Sequence, residues 1–164
     1  MPQTVNAPAA PGIARLVLDT NIWLDWLVFD DAGVTSIKEA VARGDAGVFI
    51  SSVCEAELIR VLGYPLSGYA LDTAGQAAAL AQCRTIAHTI EDCTERHAIT
   101  ALPRCEDPDD QMFLELARDC RADLLITKDR DLLALATRKV QPLPFRILTP
   151  REFARDASLA TRIG

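Results

Sequence analysis

The residues of this sequence able to do chemistry are its carboxylates. Asp19 closes the apolar run Leu16-Val17-Leu18, where a buried carboxylate costs free energy unless a cation or hydrogen bonds compensate. Thr20 and Asn21 are each able to cap the helix that follows, which leaves Asp19 without a structural task. Four further acids stand at comparable places. Glu57 lies beside Leu58, Ile59 and Leu62; Asp110 follows Asp107-Pro108-Asp109; Asp129 and Asp131 follow the run 123–127, DLLIT. Two carboxylates about 4 Å apart repel by about 4 kcal/mol at an effective dielectric of 20. A cluster of them therefore persists only with protonation, basic partners or a metal. An oxygen-only donor set, with His88 and His97 elsewhere, selects Mg²⁺ or Mn²⁺ over zinc. Such a site supports phosphodiester hydrolysis.

Elements that would bring these acids together can be read from the apolar pattern. Strands are expected at 14–19, 48–51, 123–127 and 145–148, separated by helical periodicity, as in βα units with a parallel sheet. Helices are expected from about residue 20, with Ile22, Trp23 and Trp26 on one side, and over 34–42, 52–62 and 72–87. Ser52-Val53-Cys54-Glu55 reads as a capping box, and Gly63-Tyr64-Pro65 stops that helix. Asp107 caps a helix with Pro108 in its first turn; shorter helices follow at 131–137 and after Thr149-Pro150-Arg151-Glu152. In a parallel α/β sheet, helix N-termini share an edge with strand C-termini. Asp19, Asp110, Asp129 and Asp131 would then face one rim. Glu57, one turn into its helix, would reach the same rim because helical side chains lean toward the N-terminus.

The chain has 164 residues, 49% of them apolar and 24% charged, which is an ordinary globular composition. The reading is one domain over 14–164 after a disordered leader, 1–13, which has neither the basic nor the apolar region of a secretory signal. No apolar run approaches the ~20 residues of a membrane span. Five cysteines with no C-x-x-C spacing suit thiols in a reducing cytoplasm. The net charge is −6, yet residues 138–164 hold six basic groups against two acidic ones. A broad basic nucleic-acid face is excluded, so handling a polyanion would require cations on the acidic body.

The segments LVLDTNIWLD (16–25), SSVCEAEL (51–58), DPDDQMFLELA (107–117) and ADLLITKDRDLL (122–133) together resemble the PIN-domain ribonucleases, in particular VapC-like toxins of toxin–antitoxin modules. No single segment is specific; the combination is. The resemblance implies a three-layer α/β/α fold with a central parallel sheet. It implies an Mg²⁺- or Mn²⁺-dependent endoribonuclease leaving a 5′-phosphate and 3′-hydroxyl, neutralised by a cognate antitoxin and assembled as a homodimer. The family's acidic ligands would map onto Asp19, Glu57, Asp110 and the Asp129/Asp131 pair. Asp129 is favoured as the fourth ligand, with Asp131 capping a helix that begins at Leu132. Thr20, Asn21 and Thr127 would help to position metal and phosphate, or serve only as caps and turns.

Other residues admit two readings. Lys128 and Arg130 either contact substrate phosphate or pair with the acidic cluster. Trp23 and Trp26 suit core or dimer packing better than base stacking, and Arg60 reads as a solvated helix residue. Two alternatives to the nuclease stand beside it. One is an aspartyl-phosphate phosphohydrolase or receiver-like domain, with Lys128 as its lysine. The other is a catalytically inactive PIN-like binding module.

Overall fold

The computed structural model describes residues 12–65, 68, 70–91, 102–105, 107–137 and 143–156. The chain runs through β1 (Ala14–Leu18), α1 (Thr20–Leu27), a 3₁₀ turn (Ala32–Val34), α2 (Thr35–Ala42), β2 (Ala46–Ser51) and α3 (Ser52–Leu62). It continues through α4 (Thr73–Ile86), β3 (Ala87–Ile90), α5 (Pro108–Asp119), β4 (Leu124–Ile126), α6 (Arg130–Leu135), β5 (Arg146–Leu148) and α7 (Pro150–Arg155). The strands lie in the order β3-β2-β1-β4-β5, and every neighbouring pair is parallel. This is the α/β architecture with a parallel central sheet that the sequence suggests.

Burial explains the strand composition. A parallel sheet covered by its crossover helices needs aliphatic residues on both faces, and β1 and β4 supply them in Leu16, Val17, Leu18, Leu124, Leu125 and Ile126. Leu16 pairs in register with Val48 on one side and Leu124 on the other. Helix α1 buries Ile22 and Trp23. Trp23 stacks on Trp26 with ring centroids 6.0 Å apart, and both are buried, so the pair belongs to the core.

Local signals decided several boundaries. Asp107 caps α5 through Asp109 N–H, with Pro108 in the first turn, and Thr149 and Glu152 form a reciprocal capping box on α7. The α3 cap differs from the expected one. Ser51, not Ser52, accepts the Cys54 amide, and Glu55 instead pairs with Arg84 of α4 at 2.7 Å. Strand β3 has no counterpart in the sequence reading. It follows α4 directly with no glycine or proline between Ile86 and Ala87, and two of its four residues are exposed, so neither punctuation nor an apolar run marks it. Residues 1–11 of the expected leader, Cys93, His97, Arg138, Lys139 and Arg162 lie outside the described residues. No described helix is long and apolar enough to cross a membrane. The thiols of Cys83 and Cys120 are buried, which pushes both up to about 12 and leaves them inert as nucleophiles.

Candidate metal centre

The chain builds β1, adds β2 and β3 on one side, then returns to place β4 and β5 on the other. The C-terminal ends of β1 and β4 thus form the topological switch point, where α/β sheets open a crevice. Asp19 stands there. Its amide donates to the Ile126 carbonyl at 3.0 Å, and its own carbonyl accepts from Ile22 and Trp23. The residue occupies the N-cap position of α1, yet its side chain makes no capping bond to the helix. The N-cap position therefore falls on Asp19 and not on Thr20 or Asn21.

That carboxylate is 5% exposed and accepts a hydrogen bond from the Thr127 hydroxyl at 2.7 Å. Burial raises the Asp19 carboxyl above its ordinary value; the Thr127 bond opposes the rise, and the charge of Asp129 adds to it. Thr127 is itself fully buried, and its Oγ1 accepts the Asp129 amide at 3.0 Å.

Asp110, Asp129 and Asp131 each offer one oxygen within 4.8 Å of the others. Asp110 sits in the first turn of α5, where its amide donates to the Asp107 carbonyl. Its carboxyl is pushed up to about 6, first by burial, then by Asp129, Asp107, Asp19 and Asp131. The rim thus concentrates negative charge from the β1–α1 junction, the first turn of α5 and the start of α6. The donors are all hard oxygens and mutually repulsive, which fits Mg²⁺ or Mn²⁺. His88 lies elsewhere, on β3 against Phe49, with ring centroids 5.3 Å apart.

The expected helix cap moves from Asp131 to Asp129. Helix α6 begins at Arg130, not Leu132, and Asp129 is its cap: Oδ1 accepts the amides of Asp131 and Leu132 at 2.8 and 3.1 Å. Asp131 is exposed in the first turn. Both acids belong to the close triad with Asp110.

Glu57 lies outside that triad. Its two oxygens accept from Arg60 Nε and Nη2 at 2.9 and 2.5 Å, so Arg60 is a specific partner and not merely a solvated residue. The Arg60 guanidinium also donates to the Tyr64 hydroxyl at 2.6 Å and is held above its ordinary range by Glu57, then Tyr64. Lys128 does not pair with the acidic cluster. It bonds to Asp25 of α1 at 2.5 Å, a residue the sequence reading passed over. A carboxylate between Leu24 and Trp26, on the same turn as buried Ile22, was the signal available. Thr20 is buried, and Asn21 and Arg130 are exposed.

A PIN domain family profile matches residues 15–131, and the chain belongs to the PIN domain family. The crystal structure of VapBC2 from Rickettsia felis bound to a DNA fragment from their promoter is similar in fold. It has a TM-score of 0.57 at 14% sequence identity, over 82% of this chain and 98% of that one. No curated protein matches the sequence.

Proposed function

We propose that this PIN domain is a cytoplasmic, metal-dependent endoribonuclease, the toxin subunit of a toxin–antitoxin module that acts as a homodimer and is silenced by a cognate antitoxin. The observation that carries the reading is the close triad of Asp110, Asp129 and Asp131 beside buried Asp19 at the β1/β4 switch point. The similarity in fold to a VapBC structure supports the toxin assignment.

In this reading Asp19, Asp110, Asp129 and Asp131 hold Mg²⁺ or Mn²⁺, with Glu57 as a further ligand from α3. When bound, the ion neutralises the rim, lowers the pKa of water and stabilises charge on the phosphate and leaving oxygen. The protein's own part is positional. Thr127 fixes the Asp19 carboxylate, and the α6 cap fixes Asp129. A rim carboxylate orients the attacking water and accepts its proton. In-line attack on phosphorus breaks the bond to the 3′-oxygen, leaving a 5′-phosphate and, after protonation of the leaving oxygen, a 3′-hydroxyl. Asn21 and Arg130, both exposed, are the side chains proposed to meet the RNA backbone, with buried Thr20 proposed to position the metal and phosphate.

The engagement of Lys128 by Asp25 counts against the aspartyl-phosphate alternative, which needs that lysine beside Asp19. The test is cleavage of a mixed RNA pool with Mn²⁺, with EDTA, and by Asp19→Asn. Loss of cleavage in both latter arms is expected. Undiminished cleavage in EDTA would reject the metal mechanism, and full activity of Asp19→Asn would reject the site.

A further inference from the structure

Among the described residues, Glu57 is the one proposed ligand whose carboxylate is paired with a cationic side chain. Arg60, one turn further along α3, meets it with two N–H donors in a fork–fork arrangement. The same guanidinium lies over the Tyr64 ring at 5.4 Å and donates to its hydroxyl. It also stands 4.0 Å from Asp109, the neighbour of Asp110 on α5. Arg60 therefore has a second anionic partner within reach should the first be taken from it.

We propose that Arg60 is an internal counter-cation that holds Glu57 in the ion-free protein and gives it up, turning toward Asp109 and Tyr64, when a divalent ion binds. The proposal rests on the nuclease reading, in which Glu57 is a ligand. Its physical basis is competition. Both Glu57 oxygens accept from the guanidinium, so the lone pairs turned toward Arg60 are already taken and an ion must compete for the same carboxylate charge. A guanidinium and a divalent cation sharing one carboxylate also repel each other. Arg60 thereby weakens divalent-ion affinity, while keeping the acidic rim partly neutralised in the absence of ion. Its effect is a positioning one, exerted through Glu57.

The test is calorimetric titration of Mn²⁺ into the full chain and into Arg60→Met, Glu57→Gln and the double variant. Arg60 is 48% exposed, so its replacement perturbs charge more than packing. Arg60→Met should bind Mn²⁺ about two- to fivefold more tightly, the range an exposed ion pair allows. Glu57→Gln should bind more weakly, and adding Arg60→Met to it should change nothing further. Unchanged or weaker binding by Arg60→Met overturns the proposal and leaves the metal centre standing. A gain that persists in the Glu57→Gln background also overturns it, since the effect would then be a general field. Wild-type binding by Glu57→Gln, or no binding by the parent chain, removes the nuclease reading of Glu57 and the proposal with it.

Discussion

Thr127 joins two acidic residues through one hydroxyl: it donates to Asp19 Oδ2 at 2.7 Å and accepts from the Asp129 amide at 3.0 Å. This contact ties the end of β1 to the loop after β4. Thr127→Val keeps the shape and removes both bonds in a fully buried place. A loss of about 1–3 kcal/mol is expected in urea unfolding, together with weaker Mn²⁺ binding as the Asp19 carboxyl rises further. Unaltered stability and affinity would make the bond incidental.

Asp110 gives a pH signature. Its folded-state value of about 6 lies above the ordinary 3.8, so protonation favours the folded chain. That contribution is complete below about pH 4 and is lost as the pH rises through about 6. In EDTA at pH 7.5, Asp110→Asn should therefore unfold at a higher temperature than the parent. The gain is on the order of 1 kcal/mol once solvent screening of this partly exposed group is allowed for, and it should vanish toward pH 4. Mn²⁺ should stabilise the parent more than the variant. A gain independent of pH would disprove the electrostatic account.

The paired loop acids separate by their local roles. Asparagine caps helices about as well as aspartate, so Asp129→Asn should keep α6 and the melting temperature while losing Mn²⁺ affinity tenfold or more, on the order of one charged ligand contact. Asp131→Asn, at an exposed first-turn position, should lose less. Calorimetry ranks the two directly, and the opposite order would make Asp131 the principal ligand.

The Lys128–Asp25 pair makes an asymmetric prediction. Asp25 is buried and Lys128 is half exposed. Lys128→Met strands a buried carboxylate and should cost about 1–2 kcal/mol, whereas Asp25→Asn releases a lysine into water and should cost less. Chemical denaturation of both variants at pH 7 decides it; equal losses would mean that burial of Asp25 is not what matters.

Much of this arrangement was legible in the chain because its signals are local. Asp19 stands out as a carboxylate closing an aliphatic run, and Asp107-Pro108 and Thr149-Pro150-Arg151-Glu152 announce their helices. What escaped depended on tertiary contacts. Three candidate caps lie within Thr127–Asp131, and the β1–β4 junction, which engages Thr127 with Asp19, settles the helix on Asp129. Glu55 fits a capping box by spacing, yet Arg84, 29 residues away, takes it. Strand β3 is specified by pairing with β2, Phe49 opposite His88, and not by its own four residues. The partners of Arg60 and Lys128 follow the same pattern, since a sequence shows a charge without showing what it faces.

The strand order has a consequence during synthesis. Asp19 and Thr127 are 108 residues apart, and β1 acquires its β4 neighbour only after Ile126 has been made. A nascent polypeptide still short of that point exposes Asp19 at an open sheet edge, with neither Thr127 nor the loop acids beside it. The acidic rim is thus assembled only after residue 131 has been made and β4 has paired with β1.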